Sequence, residues 1–187
     1  GERVIAYRAG RGLTDEPVIA VAIQLLVDSD RSGVMFTADP STSDRSRIVV
    51  EGALGLGEVV VGGEVEPDTY VVAKDSLRVL HVRIGHQTHR VDRDAAGVKR
   101  VELDEHEGGA RVLSDAEIVT VAELGRRVEA HYGGTPQDIE WAYAGDELFL
   151  LQSRPITTLL AAPPERDAAT ERPLLQGLAA PTGTASG

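Results

Sequence analysis

The sequence predicts an α+β fold, a mainly antiparallel sheet with covering helices. Three observations predict it. Asp138-Ile139-Glu140-Trp141-Ala142-Tyr143 and Leu148-Phe149-Leu150-Leu151-Gln152-Ser153-Arg154-Pro155 are β-rich runs flanking a polar turn, Ala144-Gly145-Asp146-Glu147, which is a hairpin signal. Thr69 to Ala73, Val79 to Ile84 and Val98 to Leu103 alternate or run apolar, as antiparallel strands do. Ser114-Asp115-Ala116-Glu117 is a capping box, and Ile118, Val121, Ala122, Gly125 and Val128 follow it at helical spacing.

The remaining elements follow in chain order. Residues 2–9 are expected to finish a helix that Gly10 and Gly12 punctuate. Pro17 to Val27 is β-rich and nearly all apolar, as in a buried central strand. Ser29 to Arg31 make a turn, and Gly33 to Ala38 a strand closed by Asp39-Pro40. Ile48 to Val50 form a third short strand. The Gly55–Gly57 and Gly62-Gly63 stretch reads as loop, with Val59-Val60-Val61 able to pack. Turns rich in Asp, Gly and His separate the next strands. Gly133 and Gly134 end the capped helix, and Pro136 prevents its continuation. From Ala161 to Leu175 the composition shifts to Ala, Pro, Glu, Arg and Asp, that of a mobile linker.

A chain of 187 residues is long enough for one domain with a real core. Aromatics are few, so Val, Leu, Ile and Ala must fill it. Thirty acidic against 19 basic residues give a net charge of −11, which argues against nucleic acid as a partner. A polyanionic ligand must then be met by local cations and metal. No cysteine is present, so neither disulfide nor thiolate chemistry is available. No stretch approaches the ~20 apolar residues of a membrane span, and no signal peptide is visible, so no membrane partner and a cytoplasmic location are expected. The chain opens mid-pattern at Gly1-Glu2-Arg3 and reads as a fragment of a longer protein.

The hairpin carries the chemistry. With a turn centred on Asp146, Glu140 lies opposite Gln152 and Asp138 opposite Arg154, and alternation puts all four on one face. Ile139, Trp141, Leu151 and Ser153 then face the core. A carboxylate, an amide oxygen and a guanidinium together suit a hard cation bound to a polyphosphate. The plainer alternative is an exposed cross-strand ion pair contributing less than ~1 kcal/mol.

Asp138-Ile139-Glu140-Trp141-Ala142 followed by Leu150-Leu151-Gln152-Ser153-Arg154-Pro155-Ile156-Thr157 resembles the end of the ATP-binding domain shared by phosphoenolpyruvate synthases, pyruvate phosphate dikinases and rifampicin phosphotransferases. Upstream segments resemble the same family in order and spacing: Ala22-Ile23-Gln24-Leu25-Leu26-Val27, Ser32-Gly33-Val34-Met35-Phe36-Thr37-Ala38-Asp39-Pro40, the stretch from Glu51 through Gly62 that contains the Gly55-Leu56-Gly57-Glu58 loop, and Pro67-Asp68-Thr69-Tyr70. The resemblance spans about residues 1–160. It implies the C-terminal half of an ATP-grasp domain over 1–160, a linker over 161–175, and over 176–187 the start of a swivelling phosphohistidine domain.

By that resemblance Gln24, Glu140, Gln152 and Arg154 bind ATP, and Glu140 and Gln152 hold Mg²⁺ on its phosphates. Asp138 orients Arg154. Gln24 in an apolar strand could equally satisfy a neighbouring backbone group. Gly55 and Gly57 could mark a tight turn rather than a phosphate loop, and no Walker sequence follows. Glu58 is open between the site and solvent. His81, His86 and His89 suit a solvated loop better than a metal, and His106 and His131 read as surface. None stands in the context of the family's phosphocarrier, so no catalytic residue is assigned and the carrier histidine lies outside the chain. Related sequences often carry lysine where Gln87 stands, which counts against a phosphate role there.

The implied function is the ATP-binding part of a phosphotransferase passing a phosphoryl group through a phosphohistidine to pyruvate, forming phosphoenolpyruvate. Alternatives are the ATP-binding part of a rifampicin phosphotransferase, or a catalytically silent interaction module. The partners are a nucleotide and, through other domains, pyruvate or another small-molecule acceptor. A surface left open where a first lobe should pack would let the chain form a homo-oligomer.

Overall fold

A computed structural model describes residues 21, 23–95, 97–157 and 159. The expectations for 2–9, for the linker and for the phosphohistidine segment lie outside the described residues. Among the described residues, eight strands and three helices follow in order: β1 (Arg31–Phe36), β2 (Arg47–Leu54), α1 (Glu58–Val61), β3 (Asp68–Ala73), β4 (Val79–Arg83), β5 (His89–Asp94), β6 (Gly97–Glu102), α2 (Glu105–Gly108), α3 (Asp115–His131), β7 (Gln137–Ala144) and β8 (Glu147–Pro155). Six strands form one sheet in the order β4-β3-β2-β1-β7-β8, and β5-β6 form a separate hairpin. Every pairing is antiparallel. The α+β expectation stands at that level.

The helix α3 begins where its capping box predicts. Ser114 accepts from the Glu117 amide, and the Glu117 carboxylate accepts from the Ser114 amide. Its Ile118, Val121 and Ala122 pack against Met35, Ile48, Val50, Tyr70, Val72, Ile139, Trp141 and Tyr143 on one sheet face. Gly125 brings the helix within reach of Met35, whose Sδ would stand 2.7 Å from any Cβ there. At 4.9 Å from the Tyr143 ring, the Arg31 guanidinium also bonds Glu117, tying β1 to α3.

Among the described residues the opposite face is covered only at one end. There Ala53, Val59 and Val65 form a small cluster with Val60 and Val91 around α1. Val59 packs as the sequence allowed, but on a helical turn rather than a loop.

Three expectations change. The described part of the Pro17–Val27 stretch forms no strand, and Val21, Ile23, Leu25 and Leu26 are exposed, Ile23 at 98%. Both neighbours of β1 are taken by β2 and β7, so no ladder position in the middle of the sheet is open to it. Second, β5 occupies a region read as turns, and α2 a stretch that the sequence left unassigned. In β5 a single apolar residue, Val91, interrupts a polar run, so alternation is invisible; α2 carries its own capping box, Asp104 to Glu107. Third, the β7–β8 ladder contains a bulge. Its turn is Gly145-Asp146, with Ala144 paired to Glu147, which in a regular ladder would set Glu140 against Leu151. The register instead shifts between Glu140 and Trp141, so Trp141 pairs with Leu150 and Glu140 with Gln152. Leu151 therefore turns away from the α3 face, and Leu150 takes its place beside Leu124, Val128 and Tyr132.

Candidate functional site

Strand register builds two rows of side chains across the open sheet face. One runs Arg83, Thr69, Glu51, Val34, Glu140, Gln152 from β4 to β8. The next runs His81, Val71, Val49, Phe36, Asp138, Arg154. Residues two apart on a strand share a face, so Glu140, Gln152, Asp138 and Arg154 form a square of neighbours. Within it the Arg154 Nε donates to the Asp138 carboxylate at 2.9 Å. Asp138 is mostly covered and Arg154 is 67% exposed, so the carboxylate anchors the guanidinium and leaves its other nitrogens to solvent.

Beside the square lies a cleft of about 510 Å³, lined by Gln24, Leu25, Leu26, Val27, Ser29, Leu56, Gly57, Glu58, Val98, Glu140 and Leu151. Gln24 and Glu140, far apart in sequence, meet here. Gln24 is exposed and belongs to no strand, contrary to its expected place in a buried one. Glu58, left open by sequence, stands at the N-terminus of α1 on the cleft wall. Gln152 and Arg154 sit on the open face next to the cleft.

The glycine loop is held from behind. Gly55 has φ of +80°, and a Cβ would lie 2.5 Å from the Val91 carbonyl, so the position requires glycine. Ser32 and Ser29 donate their hydroxyls to the Gly55 carbonyl at 2.6 and 3.2 Å. The Leu56 amide donates to the Val91 carbonyl at 2.8 Å. Gln87 is buried behind this loop, where its Oε1 accepts the Leu54 amide at 2.8 Å. A side chain in that position supports β2.

The histidines diverge. His81 is exposed on β4 and His86 in the following loop, as a solvated segment would have them. His89 is buried on β5 between Thr88 and the Glu64 carboxylate, 3.3 Å from Nε2. Sequence could not separate it from its neighbours, because burial there comes from the hairpin folding back on the sheet. Among the described residues no group of three His, Asp or Glu gathers as a metal cage. Glu140 and Gln152 nonetheless present hard oxygen donors side by side, and Mg²⁺ ordinarily takes one or two protein oxygens together with phosphates and water. The donor set fits that ion.

Glu51, which opens the family-like stretch, received no role of its own from the sequence. It is half-buried in the same row as Glu140, and burial raises its pKa above the usual glutamate range, with Arg83 opposing. The folded state thus holds this proton more tightly than the unfolded chain. Stability should fall as pH rises from the ordinary glutamate value through the raised one. Glu51→Gln is expected to be more stable than the wild type at pH 7, with the difference vanishing below about pH 4. Thermal unfolding across that range tests it; equal midpoints at pH 7 would contradict it.

The profile described as "Pyruvate phosphate dikinase, AMP/ATP-binding domain" matches residues 1–173. The chain belongs to this family. A probable phosphoenolpyruvate synthase of Methanothermobacter thermautotrophicus is 44% identical over 186 residues, covering 99% of this chain and 27% of the relative. One from Archaeoglobus fulgidus is 41% identical, covering 99% of the chain and 25% of the relative. A rifampicin phosphotransferase of Streptomyces sviceus is 39% identical over 169 residues, covering 89% and 19%. The chain thus spans about a quarter of the length of these two phosphoenolpyruvate synthases. No helix among the described residues is long and apolar enough to cross a membrane.

Proposed function

We propose that the chain is the nucleotide-binding portion of an ATP-dependent phosphotransferase that forms phosphoenolpyruvate from pyruvate by way of a phosphohistidine, and that it corresponds to the C-terminal half of an ATP-grasp domain. The observation carrying this reading is the pairing of Glu140 with Gln152 beside the anchored Arg154, next to a cleft that also contains Gln24. Glu140 and Gln152 would hold Mg²⁺, which when bound supplies charge neutralisation on the phosphates. Arg154, aimed by Asp138, contacts the phosphate oxygens, and Gln24 contacts the nucleotide. Positioning and charge stabilisation of this kind dominate phosphoryl transfer. Residues 161–175 would link this portion to a phosphohistidine domain beginning at 176–187, and pyruvate would be met elsewhere in the longer protein.

A rifampicin phosphotransferase is the second reading, because such enzymes match the same region. Its lower identity and shorter coverage place it behind the first.

One sheet face with its cleft is only one wall of a two-lobed site, so the chain alone should bind ATP weakly and release no AMP. Phosphorus NMR of millimolar ATP titrated with the chain is expected to show saturable binding that needs Mg²⁺. Glu140→Ala should weaken it at least about tenfold. Binding indifferent to Mg²⁺ and to Glu140→Ala, or none at all, would favour a silent interaction module.

A further inference from the structure

The β5–β6 hairpin stands outside the main sheet, yet its distal end reaches the cleft. Val98, next to the start of β6, is 57% exposed and lines the same cleft as Gln24, Gly57 and Glu140. Its cross-strand partner is Arg93, and directly opposed residues share a face of the ladder. From that face the Arg93 guanidinium donates to the Leu26 carbonyl at 3.4 Å, so it reaches the segment forming another wall of the cleft. The root of the hairpin is fixed. Val91 packs on the small cluster around α1, its carbonyl accepts the Leu56 amide, and the Leu103 amide donates to the Thr88 carbonyl. A rooted hairpin holding an apolar side chain over a cleft has its tip aimed rather than merely exposed.

The cleft is asymmetric. Leu25, Leu26, Leu56, Val98 and Leu151 supply aliphatic surface, while Glu58 and Glu140 supply carboxylates. A nucleotide has the matching division between an apolar, flat base and a metal-bound phosphate tail. Aliphatic surface is favourable against a ring face because both leave water.

We propose that Val98 is a base-contacting residue that packs on the face of the purine, and that Arg93 is a positioning residue that holds the hairpin tip against the Gln24–Val27 segment. The inference rests on the cleft being the nucleotide site, and its test separates the two.

The 187-residue chain is irradiated with 2-azido-ATP and Mg²⁺, digested with trypsin, and the labelled peptides are identified by mass spectrometry. Cleavage after Arg93 and Lys99 isolates residues 94–99, which contain Val98. That peptide is expected to carry label that excess ATP suppresses. Val98→Asp should lower ATP affinity about tenfold without shifting the unfolding midpoint. Arg93→Ala should lower labelling of the hairpin peptide, which then runs 91–99, while label on the peptide carrying Leu151 persists; Arg93→Lys, which keeps a donor for Leu26, should restore it. ATP-suppressible label confined to the peptides carrying Leu26 or Leu151 would overturn the role of the hairpin and leave the nucleotide site standing. No ATP-suppressible label anywhere would overturn both.

Discussion

Asp68→Ala is expected to destabilise the protein by about 3–5 kcal/mol, among the largest losses available to a single substitution here. The Asp68 side chain is fully buried at the start of β3. One carboxyl oxygen accepts the Gly85 amide at 2.9 Å. The other accepts the Val112 amide at 2.8 Å and the Tyr70 hydroxyl at 2.6 Å. Tyr70 in turn accepts the Leu113 amide at 3.0 Å. One side chain therefore satisfies donors from β3, from the loop after β4 and from the approach to α3. Burial and the Asp68 carboxylate together push the Tyr70 hydroxyl well above its usual pKa, so it stays a donor. Removing the carboxyl leaves two amides unpaired in the interior, each costing about 1–3 kcal/mol. Asparagine should not rescue it, because both oxygens receive donors and one would become an amide nitrogen facing an N–H. Denaturant unfolding measures the effect. An Asp68→Asn midpoint equal to the wild type would show that the network contributes little.

Gly33→Ala should be comparably damaging, at about 3 kcal/mol or more, for a steric reason. Gly33 on β1 pairs with Gly52 on β2 and with Trp141 on β7. The indole of Trp141 lies against both glycines, and its Nε1 donates to the Val34 carbonyl at 3.2 Å. A Cβ at Gly33 would stand 1.9 Å from the Glu51 carbonyl oxygen and 2.8 Å from the indole. Relief requires moving two central strands or expelling the largest buried side chain of the core. Because Trp141 is the only tryptophan, its fluorescence reports the slot directly, and a red-shifted spectrum is expected. Gly57→Ala is the control. Its nearest neighbour would be the Ser32 Oγ at an ordinary 3.5 Å, so the fold should tolerate it. Equal stability of both variants would refute the slot.

The helix α3 was legible because its signals are local: a capping box, apolar residues at helical spacing and terminal glycines lie within one stretch of chain. The polar square on β7 and β8 was legible for a related reason, since alternation and a short turn bring Glu140 to Gln152 and Asp138 to Arg154. Those pairs nonetheless owe their register to a bulge that sequence did not reveal. A two-residue turn would have misaligned them by one position, and where a ladder absorbs an extra residue depends on what both faces pack against. The same bulge presents Leu151 to the cleft instead of the α3 face.

Sequence by itself thus determined the α+β class, the main antiparallel strands, the capped helix and the residue types suited to a metal-bound phosphate. Only tertiary structure decided that Gln24 lies in an unpaired segment facing Glu140, that Asp68 gathers three separate segments, that Glu51 shares the open face, and that a polar hairpin reaches over the cleft. Local propensity and periodicity act over a few residues and survive in any context. Contacts between residues dozens of positions apart depend on which strand lies beside which, and that arrangement is settled by burial of the whole sheet at once.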